Sequence, residues 1–369
     1  MQLWRRLAIV LAILGSAHAY IWWRFVAAPD WPAPLTVLAT IAFLVLGPSL
    51  PATIFIARRV SRARAQPVLW VAYTWFGCAV YLLLAAAASH VACAIGAASP
   101  RAAALAGLAA AFAIVGYGLV HARQAPTVRH VRVPLAKLPA SADGYTIVQL
   151  TDLHVGWTLG ARFAETVVAR VRELDPDLIV LTGDLVDGHV RELAPQVAPL
   201  ANLRARDGVY AVTGNHEYYW NAQAWISELS RLGFRYLRNE RVAIRDVLEL
   251  AGTDDITGAM MAHGHGEDIA RAVAGRDPGV PLVLLAHHPR SVARAAAAGV
   301  DLQLSGHTHG GQLLPLGYLA RLFEPRVAGL GRFGETWLYV SEGTGFWGPP
   351  MRIGTSCEIT AITLVASDG

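Results

Sequence analysis

The sequence predicts an α/β protein in two parts, an N-terminal transmembrane region of four helices and a C-terminal domain in which strands and helices alternate. Four apolar stretches before residue 121 each approach the length of about 20 residues that crosses the hydrocarbon core of a bilayer. After residue 144, short runs rich in Val, Leu or Ile alternate with helical patterns, as in sheets covered by helices. We expect a transmembrane region over 1–122, a linker over 123–143 and a globular domain over 144–369.

The four apolar stretches cover residues 7–23, 35–56, 68–88 and 102–120. Pro48 and Pro51 interrupt the second stretch, which a spanning helix tolerates when neighbouring groups satisfy the freed carbonyl groups. The spans carry no series of acidic or basic residues. The region is therefore predicted to be a membrane anchor rather than a transport path.

Arginine is unevenly distributed around the spans. Four arginines crowd the link between the second and third spans and two precede the first, whereas the other two links carry Arg24 and Arg101. The positive-inside rule places the N-terminus and the second link in the cytoplasm, and an even number of crossings returns the chain to that side. We expect an integral protein of the inner (cytoplasmic) membrane with its globular domain in the cytoplasm.

A cleaved signal peptide is an alternative for the first span. Arg5 and Arg6 precede a short apolar core that ends in Ala17-His18-Ala19, which imitates a cleavage site. Cleavage there would leave three spans that start outside, and the globular domain would still lie inside.

The positive charge of the chain belongs to the membrane region. Residues 1–140 contain 12 Arg or Lys and the single acid Asp30, whereas the remainder contains 19 basic and 26 acidic residues. Arginines beside apolar stretches suit an anionic membrane surface, and an acidic C-terminal domain argues against a nucleic-acid partner. The three cysteines are far apart and indicate neither a disulfide framework nor a thiolate zinc site.

The globular domain shows strand and helix patterns in alternation. Apolar runs at 146–150, 178–181 and 282–285 indicate buried strands, and apolar residues at helical spacing indicate helices over 161–174, 221–232 and 291–298. The late runs at 337–340 and 358–364 have no helix between them. A second, partly antiparallel sheet is therefore expected.

Five short clusters place Asp, His and Asn beside glycine, and each follows a short run rich in Val, Leu or Ile that is interpreted as a buried strand. The clusters are Asp152-Leu153-His154, Gly183-Asp184-Leu185-Val186-Asp187, Gly214-Asn215-His216-Glu217, His287-His288-Pro289 and Gly306-His307-Thr308-His309. Ligands at strand ends occupy the usual position of a site in an α/β fold. Side chains two apart in a strand share a face, so a carboxylate and an imidazole can converge on one cation. Together the clusters supply enough ligands for two divalent metal ions, with Mn, Fe or Zn all suited to this donor set.

The order of these motifs resembles that of the calcineurin-like metallophosphoesterases, in a membrane-anchored branch, over about residues 144–366. The resemblance implies a metallophosphoesterase-type α/β sandwich, with two sheets flanked by helices. It also implies the metal ligands: Asp152, His154 and His309 for one ion, Asn215, His287 and His307 for the other, and Asp184 as the bridge. His216 resembles the proton donor of the family, and Asp187 the residue that orients it.

The implied activity is hydrolysis of a phosphoester or pyrophosphate bond by metal-activated water. Membrane tethering favours a lipid-linked phosphorylated substrate, and resemblance to the branch that cleaves UDP-diacylglucosamine makes that molecule a candidate. Two alternatives remain open. The first is a membrane scaffold or sensor that binds metal without turnover, and the second is a nuclease, which the acidic balance of the domain disfavours.

Several residues near the motifs admit more than one interpretation. His288 is an alternative ligand to His287, which is preferred for its place before Pro289 and after a strand. Glu217 is interpreted as a surface or supporting acid rather than a substrate contact, and His263 and His265 as solvated loop residues. For Arg352 a phosphate contact and a structural salt bridge are both open. Six aromatic residues near the site loops would suit an apolar or acyl-bearing substrate: Trp157, Tyr218, Tyr219, Trp220, Phe346 and Trp347.

Overall fold

The computed structural model describes residues 2–367. Within them the chain forms two compact units. The membrane unit comprises the chain up to Arg123 together with Gly348–Ile353, and the sandwich unit comprises Gln124–Trp347 together with the chain from Gly354 onward.

The membrane unit is helical. Its α-helices are α1 (Gln2–Trp22), α2 (Ala33–Leu46), α3 (Ser49–Arg59), α4 (Arg62–Ala94) and α5 (Pro100–His121). Four segments in the described residues are long and apolar enough to cross a membrane, namely Ala8–Ala27, Ala33–Thr53, Arg62–Ala94 and Pro100–His121. This confirms the predicted set of four apolar N-terminal helices.

Arg24 does not lie in a link, as the sequence indicated, but in a π-helical turn, Trp23–Ala27, that continues α1. Its side chain is only 3% exposed. The guanidinium donates to the hydroxyl of Ser89 at 3.0 Å, to the carbonyl of Ser89 at 2.9 Å and to the sulfur of Cys93. A buried guanidinium requires such partners because losing its hydration is costly.

The segment Gly348–Ile353 packs on α4 and α5. A Cβ atom at Gly77 would lie 2.5 Å from the sulfur of Met351, and one at Gly118 would lie 2.5 Å from Cγ1 of Ile353. The backbone N–H of Arg352 donates to the carbonyl of Gly118 at 3.2 Å. Only glycine at these two helix positions lets the segment approach so closely.

The sandwich unit contains two six-stranded sheets in the described residues. Sheet one has the strand order β1-β12-β2-β3-β4-β5, and sheet two has the order β10-β11-β9-β8-β7-β6. The strands are β1 (Thr127–Leu135), β2 (Thr146–Leu150), β3 (Leu178–Thr182), β4 (Val209–Val212), β5 (Arg235–Tyr236), β6 (Glu240–Ile244), β7 (Leu248–Gly252), β8 (Leu282–Leu285), β9 (Leu302–Ser305), β10 (Gly329–Phe333), β11 (Thr336–Val340) and β12 (Glu358–Ala366).

Helices pack on the outer faces of both sheets, and the described residues of the sandwich unit contain eight α-helices. They are α6 (Ala161–Leu174), α7 (Val190–Val197), α8 (Asn215–Tyr219), α9 (Ala222–Arg231), α10 (Gly258–Met261), α11 (Ile269–Ala272), α12 (Val292–Ala297) and α13 (Leu316–Ala320). The helix expected over 161–174 has those bounds, and those expected over 221–232 and 291–298 are each shorter by one residue at either end.

Strands buried on both faces explain the continuous apolar runs. Ile147 and Val180 point into the core between the sheets, where they join Val283 and Leu304 of sheet two. Their neighbours in the same strands, such as Val148, pack outward against the helices. The two-sheet sandwich flanked by helices is thereby confirmed.

Two segments differ from the sequence expectation. The segment 123–143, interpreted as a linker, contains β1, which pairs in parallel with β12 along nine residues. The run at 358–364 forms β12, and β12 lies in sheet one beside β2, whereas the run at 337–340 forms β11 in sheet two. Both differences arise from pairing between residues more than 200 positions apart, which local patterns do not encode.

Candidate metal centre

The five motifs converge at the carboxyl ends of parallel strands. β2, β3 and β4 are parallel neighbours in sheet one, as are β8 and β9 in sheet two. The first predicted ligand of each motif lies two or three residues beyond a strand end: Asp152 after β2, Asp184 after β3, Asn215 after β4, His287 after β8 and His307 after β9. The connectivity of the fold therefore brings all five loops to one edge of the sandwich.

Hydrogen bonds continue strand pairing into the loops and fix the ligands there. The N–H of Asp152 donates to the carbonyl of Gly183 at 2.9 Å, and that of His154 to the carbonyl of Asp184 at 3.1 Å. Across the other pair, Gly306 donates to the carbonyl of His287 at 3.0 Å. The loops are therefore held by backbone contacts that do not depend on a bound ion.

Five of the predicted ligands have left-handed backbone conformations. The φ angles are 52° for Asp152, 46° for His154, 54° for Asp184, 71° for His307 and 51° for His309. Such conformations cost about 1–3 kcal/mol each in non-glycine residues. Clustering of this strain at one place is typical of a functional site.

Gly214 and Gly306 permit the close approach of loops around the carboxylates. A Cβ atom at Gly214 would lie 2.2 Å from Oδ1 of Asp184, and one at Gly306 would lie 2.2 Å from Oδ2 of Asp152. Any larger residue would displace a carboxylate that is predicted to bind metal.

One group of ligand atoms contains Asp152, His154 and His309. Nε2 of His154 lies 3.0 Å from Nε2 of His309, and Nε2 of His309 lies 3.3 Å from Oδ1 of Asp152. The three ligand atoms lie within 4.8 Å of one another. All three side chains are at least nine-tenths buried.

A second group contains Asp184, His287 and His307. Oδ2 of Asp184 lies 3.2 Å from Nε2 of His287. Oδ1 of Asn215 lies 3.2 Å from the same nitrogen and 3.1 Å from Nδ1 of His307. Asp184 also belongs to a third group, with His154 and His216, so its carboxylate lies between the two sets of predicted ligands.

The protonation of His287 shows that these residues fit a cation. Nδ1 of His287 lies 2.7 Å from the carbonyl of Thr182, which only accepts, so Nδ1 carries the proton. In the neutral ring Nε2 then carries a lone pair. This lone pair faces two further acceptors, the side-chain oxygens of Asn215 and Asp184. These three lone pairs need positive charge between them, which either a proton on Nε2 or a metal ion supplies. Without an ion, burial lowers the pKa of His287, but Asp184 and Asp152 outweigh burial and raise that pKa well above its usual value.

His216 and Asp187 form a pair beside the ligands. Nδ1 of His216 contacts Oδ1 of Asp187, and Nε2 of His216 lies 3.9 Å from Oδ2 of Asp184. Burial lowers the pKa of His216, but Asp184 and Asp187 exceed that effect and raise the pKa to about 9. Burial raises the pKa of Asp187, but His216 and His154 outweigh burial and bring that pKa below its usual range. The pair therefore favours a protonated imidazole.

Glu217 is fully buried and supports the loops. Its carboxylate accepts from the backbone N–H groups of Gly214 at 2.7 Å, Leu185 at 2.7 Å and Asp184 at 3.0 Å. The expectation of a supporting acid agrees with this position, and the expectation of a surface acid does not. Burial and the charge of Asp184 raise the pKa of Glu217 to about 7.

His288 lies against the site but outside the ligand groups found in the described residues. Its ring is 3.6 Å from that of His307, and its Nε2 is 3.5 Å from Oδ2 of the buried Asp255. Burial and the neighbouring His307 lower the pKa of His288 to about 2. These contacts favour His287 over His288 as the ligand.

Other residues singled out in the sequence lie in varied surroundings. Tyr219 and Trp347 are about half exposed, and their rings are 5.1 Å and 5.8 Å from that of His216. The side chain of His265 is nearly buried and contacts the hydroxyl of Tyr218 at 3.0 Å, so it is not the solvated residue expected. Arg352 is fully buried in the segment Gly348–Ile353 of the membrane unit, and its contact with substrate stays a prediction.

Sequence reasoning missed two supporting residues, Thr182 and Asp255. Thr182 acts through its carbonyl, which every residue has, so its type gives no signal. Asp255 follows β7 closely, and its position after a strand in the pattern Gly252-Thr253-Asp254-Asp255 could have drawn attention to it.

Comparison with known proteins identifies related sequences. Residues 145–311 match the sequence profile described as calcineurin-like phosphoesterase. The chain is 41% identical over 259 residues to a transmembrane protein with metallophosphoesterase domain of Danio rerio, covering 67% of this chain and 59% of that protein. It is 43% identical over 264 residues to the protein of the same name in Bos taurus, covering 68% and 60%.

A shorter bacterial relative is matched along most of its length. An uncharacterized metallophosphoesterase of Aquifex aeolicus is 36% identical over 240 residues, which cover 64% of this chain and 91% of that protein. By contrast, the chain spans about 60% of the length of the two vertebrate relatives.

Proposed function

The chain belongs to the calcineurin-like phosphoesterase family, and we propose that it is a membrane-anchored phosphoesterase that uses two divalent metal ions. The observation that carries this proposal is the position of Asp184 between two sets of buried ligands. A carboxylate with two oxygens can bridge two cations, and the lone pairs around Nε2 of His287 require positive charge.

The ligands divide into two sets around Asp184. Asp152, His154 and His309 would hold one ion, and Asn215, His287 and His307 would hold the other. When bound, such ions would supply charge neutralisation for a phosphoryl group and lower the pKa of a bound water toward neutrality. Imidazole and carboxylate donors suit Mn, Fe or Zn.

His216 donates a proton to the leaving oxygen. Its Nδ1 is held by Asp187, which leaves Nε2 directed toward the centre, 3.9 Å from Asp184. The contact with Asp187 favours the protonated imidazole, which can act as a general acid. Asp187 fixes the ring and its tautomer, as carboxylates do for catalytic histidines.

A lipid-linked phosphoester or pyrophosphate is the proposed substrate class, with UDP-diacylglucosamine as one candidate. The half-exposed rings of Tyr219 and Trp347 beside His216 offer apolar surface at the place where a leaving group would lie. Four apolar helices hold the chain at a membrane. The arginine distribution supports a cytoplasmic position for the sandwich unit.

Hydrolysis assays on the purified full-length protein test this proposal. The protein, supplied with manganese, is assayed against lipid pyrophosphates, phosphodiesters, phosphomonoesters and a generic aryl phosphate. We expect Asp184→Asn to abolish turnover and His216→Ala to reduce it while metal remains bound. Turnover that is unchanged in both variants would refute the proposal.

A further inference from the structure

The loop between His309 and β10 exposes a group of large apolar side chains. Tyr318 and Leu319 are each 58% exposed, Leu322 is 74% exposed and Phe323 is 69% exposed. They lie on or just after α13, within 14 residues of a predicted metal ligand. A soluble domain rarely exposes several large apolar side chains within one short segment unless the segment meets a partner or a membrane.

A polar cleft of about 510 Å³ lies beside these side chains. Gly310, Tyr318, Arg321 and Arg326 are among its lining residues, and Gly310 directly follows the predicted ligand His309. The cleft is thus continuous with the loop that carries the metal site. Its volume is sufficient for a phosphate-bearing headgroup.

The cleft is lined by two arginines and two glutamates. Both glutamates contact arginines that do not line the cleft. Glu324 contacts Arg290 at 2.8 Å, and Glu342 contacts Arg129 at 3.7 Å, while Arg129 also contacts Glu358 at 3.0 Å. Neither Arg321 nor Arg326 has a carboxylate within 4.0 Å among residues 2–367. Arg321 instead lies over the ring of Tyr318, 5.1 Å from its centroid.

We propose that residues 314–326 form an interfacial surface that binds an anionic phospholipid bilayer. Leu319, Leu322 and Phe323 enter the headgroup–acyl boundary, and Arg321 and Arg326 contact lipid phosphate. Apolar side chains next to arginine are the combination that suits this environment. The apolar spans of the same chain bring a bilayer within reach of every molecule, which favours lipid over a soluble partner or a second copy.

The surface has a consequence for substrate access that rests on the proposed function. Because Gly310 joins the cleft to His309, a lipid whose phosphate reaches the cleft would lie next to the metal loops. Substrate could then be taken from the bilayer without passing through water. Binding of the surface to lipid does not itself require hydrolysis, so the two ideas can fail separately.

Depth measurement by spin labelling tests the surface without an activity assay. Full-length Leu322→Cys is labelled in nanodiscs of phosphatidylcholine with or without phosphatidylglycerol, and the signal of labelled wild type, which contains Cys78, Cys93 and Cys357, is subtracted. The control is Glu173→Cys, since Glu173 is exposed near the end of α6, at the sheet edge opposite the ligands. Collision with oxygen and with a polar nickel chelate is recorded for both.

We expect the label at position 322 to show several-fold less contact with nickel and more contact with oxygen than the control, most strongly with phosphatidylglycerol. Contact with both reagents equal to that of the control would overturn the proposal. Exclusion of both reagents would indicate a protein partner and would overturn it as well.

A second variant tests the arginines. In Arg321→Gln/Arg326→Gln the additional insertion caused by phosphatidylglycerol should be lost, whereas Arg170→Gln/Arg172→Gln on α6 should retain it. Equal dependence on phosphatidylglycerol in both double variants would refute the headgroup contact. Circular dichroism of each variant confirms that it is folded before the comparison is made.

Discussion

Asp187 lies between His154 and His216 and contacts both rings. Its Oδ2 is 3.1 Å from Nδ1 of His154, and its Oδ1 contacts Nδ1 of His216. One carboxylate therefore fixes the tautomer of a predicted metal ligand and of the predicted proton donor, and it turns Nε2 of both rings toward the centre. Asp187 therefore couples the orientation of the predicted ligand His154 to that of the predicted proton donor His216.

Replacement of Asp187 should impair metal binding and turnover together. In Asp187→Asn an amide N–H₂ faces one imidazole N–H, so one ring loses its acceptor. A supporting group of this kind typically contributes about 10–100-fold in metal affinity or activity. Metal titration and steady-state kinetics measure the two effects. The surface variant Glu173→Gln is the control, and equal behaviour of both variants would contradict the coupling.

Removal of His216 should cost most for poor leaving groups. A leaving alkoxide needs a proton in the transition state, whereas nitrophenolate leaves readily without one. For His216→Ala we expect a loss of about 10²–10⁴-fold on alkyl phosphates and a smaller loss on aryl phosphates. Rates across a series of leaving groups provide the measurement. A uniform loss over the series would show that His216 does not donate the proton.

Glu217→Gln should destabilise the sandwich unit. The carboxylate accepts three backbone N–H groups in a fully buried position, and an amide offers one acceptor oxygen and a donor in place of the other. We expect a lower free energy of unfolding, by about 1–3 kcal/mol, seen as a reduced Tm.

The matched control for this variant is Glu228→Gln on α9. Glu228 pairs with Arg231 at the surface, so its loss should cost less than about 1 kcal/mol. Equal Tm values for the two variants would mean that Glu217 does not hold the loops.

Reporter fusions test the orientation of the chain. The arginines around the spans predict that the carboxyl terminus lies in the cytoplasm. A fusion there to alkaline phosphatase, which is active only in the periplasm, should be inactive, and a fusion to a fluorescent protein that folds in the cytoplasm should fluoresce. The reverse pattern would overturn the placement of the catalytic domain.

The sequence was informative wherever local pattern and topology agree. The run at 146–150 has the bounds of β2, because a strand buried on both faces is apolar throughout. The ligand motifs follow strands, and parallel strands end at one edge, so their convergence could be predicted from order alone. Motif resemblance added the predicted roles of Asp184 and His216, which stay predictions.

Long-range pairing and backbone strain could not be predicted in this way. β1 contains two arginines, a histidine and a proline, and four of its nine residues are exposed, which is why the segment resembled a linker. The left-handed conformations of Asp152 and His309 depend on contacts between distant loops. Glu217 acts on backbone groups of another loop, so its neighbours in the sequence do not reveal its role.

Metal stoichiometry tests the central claim most directly. Purified full-length protein, stripped with a chelator and reloaded with Mn, Fe or Zn, is analysed by elemental mass spectrometry beside Asp152→Asn and Asp184→Asn. We predict two ions per chain in the wild type, loss of one ion in Asp152→Asn and weakened binding of both in Asp184→Asn. A wild-type protein that is folded and binds one ion or none, or an Asp184→Asn variant that binds two as tightly as the wild type, would contradict the account.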